Sequence, residues 1–505
     1  MPPPPPTTTT MRVAAALLLL CLAAITVRPC LAASDLDKLP FLHASYRTGH
    51  HAEYSPKGGS GPTLRGGSSK SSKAHAANDA LPPSLTTSRR AVIAERFVRK
   101  PGTTAGQPYE CHASTIVETS ADGDFVATWF QGTEENAPDV AVYRSTLRMP
   151  RAGESNSSQW TPPRRVVDAV DSSPVTCGRK LETKCKGQMS TWNPALAHLP
   201  NGTTLLFYKR GPSPSEWAGY YVRSDDGGKS FGSEQSLPKG ITCGAKNAPI
   251  VVWHDLPSAD RNAWSLLCGA STEEYGKATA TGGRERKWQL FVDAYDNRAS
   301  SWTRYGPVPY DGNAIQPSLF VHPETQLLAL VARSATDYDI RTQRKVDPHR
   351  DPKNRKRMIY PGKKYAVMAV SENRVGSVWV KPARAIAVPC PNSGLDATML
   401  PDGRLVVVHN DWDPRSRSDN SVKSDDAYSR SRLVVSVSGT RNLDSWRVAC
   451  VLEDATKTKL QQGQSMGPEF SYPSVSLGRS SGLLHVTYTY DRKGIKHATL
   501  DPRAL

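Results

Sequence analysis

The sequence predicts an all-β chain folded as a six-bladed β-propeller. Three observations carry that prediction: short apolar or alternating runs separated by Asp-Gly, Asn-Gly and Pro turns, no amphipathic helical stretch of any length, and one segment start repeated six times. The starts are His112-Ala-Ser-Thr-Ile-Val, Asn193-Pro-Ala-Leu, Asn247-Ala-Pro-Ile-Val, Gln316-Pro-Ser-Leu-Phe, Asp396-Ala-Thr-Met-Leu and Tyr472-Pro-Ser-Val, lying 81, 54, 69, 80 and 76 residues apart. A short meander repeated at this period cannot bury both faces alone, so its copies stack around a ring. Two unrelated β-sandwiches, the competing architecture, leave the matching starts unexplained.

In chain order, residues 1–33 read as a secretory signal peptide. Arg12 precedes an apolar run over residues 13–27, and the small residues after Leu31 offer cleavage after Ala32 or Ala33. A retained signal anchor is the alternative, although the run is short for a membrane span. Residues 34–90 are rich in Ser, Gly, His, Lys and Ala and poor in large aliphatics, which predicts a flexible leader. Residues 91–505 carry the propeller. Its first blade continues through Asp122-Gly123 into strands from Phe125 and Val140, and the second through Asn201-Gly202 into strands from Thr204 and Tyr220. The fourth has a third strand from Tyr365, and the fifth runs through Asp402-Gly403 into strands from Leu405 and Leu433. The last blade, from Tyr472, has chain for two strands and most of a third. A strand over residues 91–98 is expected to complete it and remove an exposed edge.

Composition narrows the partner. The chain has 505 residues, 38% hydrophobic and 22% charged, enough apolar content for a large core. Lys+Arg 64 against Asp+Glu 47 gives +17, which attracts acidic partners over long range. A secreted chain turns that charge toward acidic carbohydrate or cell-surface polyanions rather than nucleic acid. Residues 341–364 hold ten Lys or Arg against two Asp, and read as an exposed insertion in the fourth blade that is either solvated or in contact with an acidic polysaccharide. Seven cysteines follow the signal, an odd number that leaves at least one unpaired; Cys177 with Cys185 and Cys243 with Cys268 are the favoured disulfides. Asn156 and Asn201 open N-glycosylation sequons. No CxxC or HExxH spacing occurs, so neither metal nor cofactor is implied, and a closed ring needs no partner, so a monomer without membrane insertion is expected.

Ser224-Asp-Asp226-Gly-Gly228-Lys-Ser-Phe231 matches the S-x-D-x-G-x-[ST]-[WF] Asp-box, with degenerate echoes over residues 371–379 and 438–446. Here Asp and Ser side chains can satisfy turn backbone groups while the aromatic packs between strands, so the box marks a fold and carries no chemistry. With these boxes, the blade order and the stretches around Glu110-Cys-His112, Trp129-Phe-Gln-Gly-Thr-Glu134-Glu135, Pro391-Asn-Ser-Gly-Leu-Asp396 and Ser471-Tyr472-Pro-Ser, residues 90–505 resemble the sialidase (neuraminidase) superfamily, in its BNR/Asp-box branch.

The resemblance implies a glycoside hydrolase that grips a substrate carboxylate with three arginines, attacks with a tyrosine assisted by a glutamate, and protonates the leaving oxygen with an acid. A guanidinium fork matches a carboxylate bidentately, and a neutral tyrosine avoids repulsion by that carboxylate. By the family pattern Tyr472 is the nucleophile, Arg333 the second arginine, and Arg430, with Arg432 as the alternative, the third. His112 stands where the first arginine belongs and Gln316 where the glutamate belongs, which makes Glu469 the nearest substitute carboxylate. Acid candidates are Glu134, Glu135 and Asp139. Independently of the resemblance, the equivalent first positions of six blades form a ring at one mouth, here His112, Asn193, Asn247, Gln316, Asp396 and Tyr472, a polar set suited to binding sugar hydroxyls.

The expected function is therefore a secreted exo-glycosidase of sialidase type, removing a terminal acidic sugar, sialic acid or a related α-keto acid sugar, from glycans. Two other readings stand beside it. His112 and Tyr472 suit a lyase acting on a uronate, with arginines neutralising the carboxylate. The loss of a carboxylate at Gln316 also suits a non-catalytic glycan-binding propeller.

Overall fold

The computed structural model describes residues 89–102, 110–150, 158–168, 189–254, 263–278, 284–346, 349–350, 358–359, 363–411, 429–439, 441–458 and 466–505. The expected signal peptide, nearly all of the leader, the Cys177 and Cys185 pair and the Asn156 sequon lie outside these residues. Among the described residues the secondary structure is strand, apart from two short 3-10 turns at Pro214–Glu216 and Pro502–Ala504. No described helix is long and apolar enough to cross a membrane.

Six antiparallel sheets form the six blades of a propeller. The first blade pairs Glu110–Glu118, Phe125–Gly132, Ala141–Leu147 and Arg164–Val167 in order, and the second Thr191–His198, Thr204–Arg210, Ala218–Ser224 and Gln235–Ser236. The third is Ile250–Trp253, Trp264–Ala278, Arg284–Asp296 and Ser301–Tyr305; the fourth is Ala314–Val321, Leu328–Ser334, Lys363–Val370 and Arg384–Pro389. Asp396–Met399, Leu405–Asn410, Arg432–Ser438 and Trp446–Asp454 make the fifth. The sixth joins the two ends of the described chain: Phe470–Leu477, Leu484–Tyr490 and Gly494–Leu500 accept Val92–Arg99 as their outer strand. This is the closing strand expected from the sequence, and it leaves Val98 and Ile495 in one apolar cluster with Cys111, Phe125 and Trp129 of the first blade.

Why the sheets stack is visible in the other clusters. Val126 and Val142 of the first blade pack on Leu196, Leu206 and Tyr208 of the second, and corresponding clusters join the second to the third, the third to the fourth and the fourth to the fifth. Each blade thus buries both faces only through its neighbours. The Asp-box performs as a turn: Asp226 accepts from the Ser224 hydroxyl at 2.8 Å and from the Lys229 and Ser230 N–H groups at 2.9 Å, while Phe231 packs on the cluster between the first two blades. Those donors hold its carboxyl at about 2 against the opposing effect of burial. Gly228 sits at φ +82, where a Cβ would come within 2.9 Å of Val126.

Two additions depart from the plain meander. The fourth blade is widened by a small hairpin, Asp337–Asp339 with Arg344–Lys345, which lies beside Lys363–Val370 and begins the basic insertion. In the third blade the second and third strands run on past their neighbours as a two-stranded hairpin: pairing extends to Ala278 with Arg284, whereas Ile250–Trp253 pairs only as far as Leu267. That hairpin rises from the mouth at which the blade starts lie. One disulfide occurs among the described residues, Cys243 with Cys268, while Cys111, Cys390 and Cys450 are buried thiols.

Candidate functional site

Four of the first strands share a local device. In each, a register shift accompanies one non-glycine residue in the left-handed region: Ala113 (φ 53), Asn193 (φ 30), Gln316 (φ 57) and Tyr472 (φ 49). A bulge with positive φ re-aims a side chain at some cost in backbone strain. It also corrects the expected ring: the bulge places Ala113, and not His112, at the position equivalent to Tyr472. His112 lies one residue earlier and wholly buried, its Nδ1 bonded to Thr489 Oγ1 at 2.8 Å and its ring 4.1 Å from that of Tyr472. Burial first, and Arg492 next, hold its imidazole far below the usual value, so it is neutral.

Hydrogen bonds around the axis explain several of the other polar starts. Leu196 N–H donates to Thr115 Oγ1, Asn193 Nδ2 to the Ala245 carbonyl and Asn247 Nδ2 to the Gln316 carbonyl. Asp396 accepts from Ser318 Oγ at 2.7 Å with one oxygen and from Val475 N–H at 2.9 Å with the other, and Ile116 N–H donates to Ser474 Oγ. Every blade is thereby tied to both neighbours. Asn193, Asn247 and Asp396 have their side chains engaged in this ring of ties. Two buried lysines reinforce it: Lys209 reaches the Asn193 and Gly244 carbonyls, and Lys246 reaches Asn247 Oδ1, Leu395 O and Pro473 O. Burial pulls Lys209 down to about 7 and Lys246 to about 8.

The remaining two starts converge on Arg333. Its Nη1 donates to Tyr472 Oη at 2.8 Å and to Gln316 Oε1 at 3.2 Å, while Nε donates to Asn392 Oδ1 at 2.9 Å. Tyr472 is 7% exposed and Arg333 8%, so both sit at the floor of the mouth. Arg430 lies over the Tyr472 ring at 5.4 Å, and the Lys246 ammonium stands 5.9 Å from its centroid. Guanidinium groups so placed suit a carboxylate ligand.

A second cluster rises from this floor. Glu469 pairs with Arg430 Nη1 and with Arg492 Nε, each at 2.9 Å, and Arg492 Nη1 pairs with Glu135 at 2.6 Å. Burial opposes ionisation of Glu469, but Arg430 and Arg492 outweigh it and hold its carboxyl well below the usual range. Glu469 is thus an anion between two arginines rather than a partner of the Tyr472 hydroxyl. Glu135 is tied to Arg492, Asp139 accepts from its own loop at Thr133 N and Oγ1, and Glu134 is exposed on the same loop. Arg432, the alternative third arginine, pairs with Asp411 and Asp454 on the fifth blade.

Sequence reasoning missed Arg492, Lys246 and Glu273. Arg492 sits at φ 55 in the turn before the last strand, and its carbonyl accepts from Cys111 N–H, the residue preceding His112. A guanidinium therefore stands beside the position of the family's first arginine; it comes from the turn of Asp491, Arg492 and Lys493 between two strands, away from any blade start. Lys246 precedes a blade start by one residue. Glu273 lies on the projecting hairpin, whose unusual length is invisible without pairing partners. Asn201 is exposed in the turn between the first two strands of its blade. No group of described His, Cys, Asp or Glu residues is placed to hold a metal ion.

Residues 123–486 match the BNR repeat-like domain. The chain belongs to the BNR repeat-like family. Comparison with solved structures agrees with the six blades: the Hadza microbial sialidase Hz136 is similar with a TM-score of 0.50 at 12% identity, over 81% of this chain and 69% of that one. The Trypanosoma rangeli sialidase matches with a TM-score of 0.47 at 11% identity, over 81% of this chain and 60% of that enzyme. The NanB sialidase from Streptococcus pneumoniae matches with 0.45 at 11% identity, over 80% and 70%. No curated protein matches. This BNR propeller is thus sialidase-like in fold, and at such identities the likeness extends to fold alone.

Proposed function

We propose that this BNR propeller is a secreted exo-glycosidase of sialidase type, which hydrolyses the bond to a terminal acidic sugar of the α-keto acid kind. The observation that carries the reading is the Tyr472 hydroxyl, held at 2.8 Å by Arg333 at the floor of a mouth ringed by Arg333, Arg430 and Arg492. Tyr472 attacks the anomeric carbon. Arg333 stabilises the phenolate that attacks, a role that in the family pattern falls to a glutamate and that Gln316 cannot take. Arg430 and Arg492, each with donors beyond those given to Glu469, receive the sugar carboxylate. His112 packs behind the tyrosine ring, neutral and without access to substrate. That burial favours hydrolysis over elimination, because a lyase needs a base within reach of the substrate proton. The +17 balance supports an acidic glycan as the partner, and Asn201 is the expected glycan acceptor on the protein itself.

The test is turnover of the secreted protein on fluorogenic α-ketosides and on uronate oligosaccharides, beside Tyr472→Phe. Ketoside release is expected, and its rate should fall by at least about 10³-fold in the variant. An unsaturated uronate product would replace this reading with the lyase. Binding without any turnover would leave a lectin.

A further inference from the structure

We propose that Glu273 is the general acid of this site, delivered by the projecting hairpin of the third blade. The inference rests on the hydrolase reading and supplies the group which that reading leaves unassigned. On the first strand of the hairpin, Trp264–Ala278, the residues Gly269, Ser271 and Glu273 share one face, because side chains alternate along a strand. Two of the three show where the face points. A Cβ at Gly269 would clash with the Pro317 carbonyl oxygen, and Ser271 Oγ accepts the N–H of Gln316 at 3.2 Å. Glu273 is the next step outward along that face, roughly 7 Å further toward the mouth.

The opposite strand agrees. Glu273 pairs directly with Trp288, so the two share a face, and the Arg333 guanidinium lies 5.9 Å from the Trp288 ring while donating to Tyr472 Oη. Hence Glu273 overhangs the Arg333 and Tyr472 floor from the third blade. The Trp288 ring, with its buried Nε1 unpartnered among the described residues, forms the wall beneath it.

Its chemistry differs from that of the other carboxylates at the mouth. Glu469 and Glu135 are paired with arginines, and Asp139 is bonded within its own loop. Glu273 is half-buried and has no hydrogen bond or ion pair among the described residues. Burial pushes its carboxyl up, the Glu135 charge adds to this, and Arg333 works against it. Arg286 on the same face is turned to Trp288, with 5.0 Å to the ring. A carboxyl whose ionisation is disfavoured by burial beside an anion-binding floor suits protonation of a leaving group.

The step balances. Tyr472 loses its phenolic proton to water, and its oxygen bonds to the anomeric carbon as the glycosidic carbon–oxygen bond breaks. The electron pair of that bond goes to the leaving oxygen, which takes the proton of Glu273. In the second step water attacks the anomeric carbon and Glu273 takes the proton of that water, while the bond to Tyr472 breaks with its electron pair going to the phenolic oxygen, which regains its proton from water.

Leaving-group dependence tests the assignment. Full-length protein and Glu273→Gln are compared on an aryl α-ketoside, whose leaving phenol departs without help, and on the same sugar linked to lactose, whose alcohol does not. The expected result is a loss of about 10²–10³-fold on the lactoside, little loss on the aryl ketoside, and disappearance of the basic limb from the pH profile of kcat/KM. Glu273→Asp, which keeps an acid, should restore that limb and part of the lactoside rate, and it decides the matter if the glutamine variant does not fold. Equal losses on both substrates, or none, would overturn the role of Glu273 while the hydrolase reading stood. A wild-type chain inert toward both ketosides would remove the hydrolase reading itself.

Discussion

Arg333 touches three side chains through two of its nitrogens. Tyr472 and Gln316 share Nη1, while Asn392 takes Nε. Lysine would keep the charge and lose the planar fork, holding one of these partners at most. Arg333→Lys is therefore expected to lower kcat/KM on an aryl α-ketoside by about 10²-fold through weaker charge stabilisation. The loss should be chiefly in kcat if Arg333 stabilises the attacking oxygen, and chiefly in KM if it only binds the carboxylate. A variant with unchanged kinetics would contradict the role given to it. The same scale shows why residue type misleads without placement: Asn193, Asn247 and Asp396 look like sugar ligands, and each is engaged in tying one blade to the next.

Among the elements, the strand Val92–Arg99 has the clearest consequence. It pairs with Gly494–Leu500 over its length, Val98 enters the core between the sixth and first blades, and Arg99 reaches the Lys493 carbonyl. Without it, the last blade would present an open edge and the cluster around Trp129 would lose a wall. A chain beginning at residue 100 is expected to lose its cooperative melting transition or to aggregate, while one beginning at residue 88 melts as the full chain does. Scanning calorimetry of the two distinguishes them, and equal transitions would show that ring closure does not depend on this strand. The projecting hairpin is the other element with a function. It is longer than its counterparts, and its length is what carries Glu273 and Trp288 beyond the end of the first strand of the blade.

For the whole molecule, buried histidines set the acid limit. His485 Nδ1 and His497 Nε2 lie 3.1 Å apart in the closing sheet, and burial lowers His485 to about 4 and holds His497 well below its ordinary value. His112 and His198 are lowered by the same cause, His198 to about 4. A histidine with a depressed folded value binds its proton more readily when unfolded. The stabilisation is then complete above the unfolded value of about 6.5 and is lost as pH falls toward 4. One residue shifted as His485 is contributes roughly 3 kcal/mol on this basis. The urea midpoint should fall steadily between pH 6.5 and pH 4, and a midpoint constant over that window would contradict the burial of these rings.

What the sequence determined by itself was periodic: the six blades, the turn dipeptides, the Asp-box and the closing strand each follow from local pattern, and each is found in the fold. Tyr472, Arg333 and Arg430 were singled out for a related reason, since each belongs to a short motif at a fixed place in a blade, and the fold brings the three side chains together. The rest depended on distances between residues far apart in the chain. Whether an asparagine at a blade start meets solvent or the neighbouring blade is decided by inter-blade bonds. A one-residue bulge at Ala113 moved His112 out of the ring it was expected to join. Arg492, from a turn 380 residues after His112, fills the space beside it. The tertiary structure decided these matters because a propeller assembles its mouth from six separate stretches, and local pattern carries no information about which of them meet.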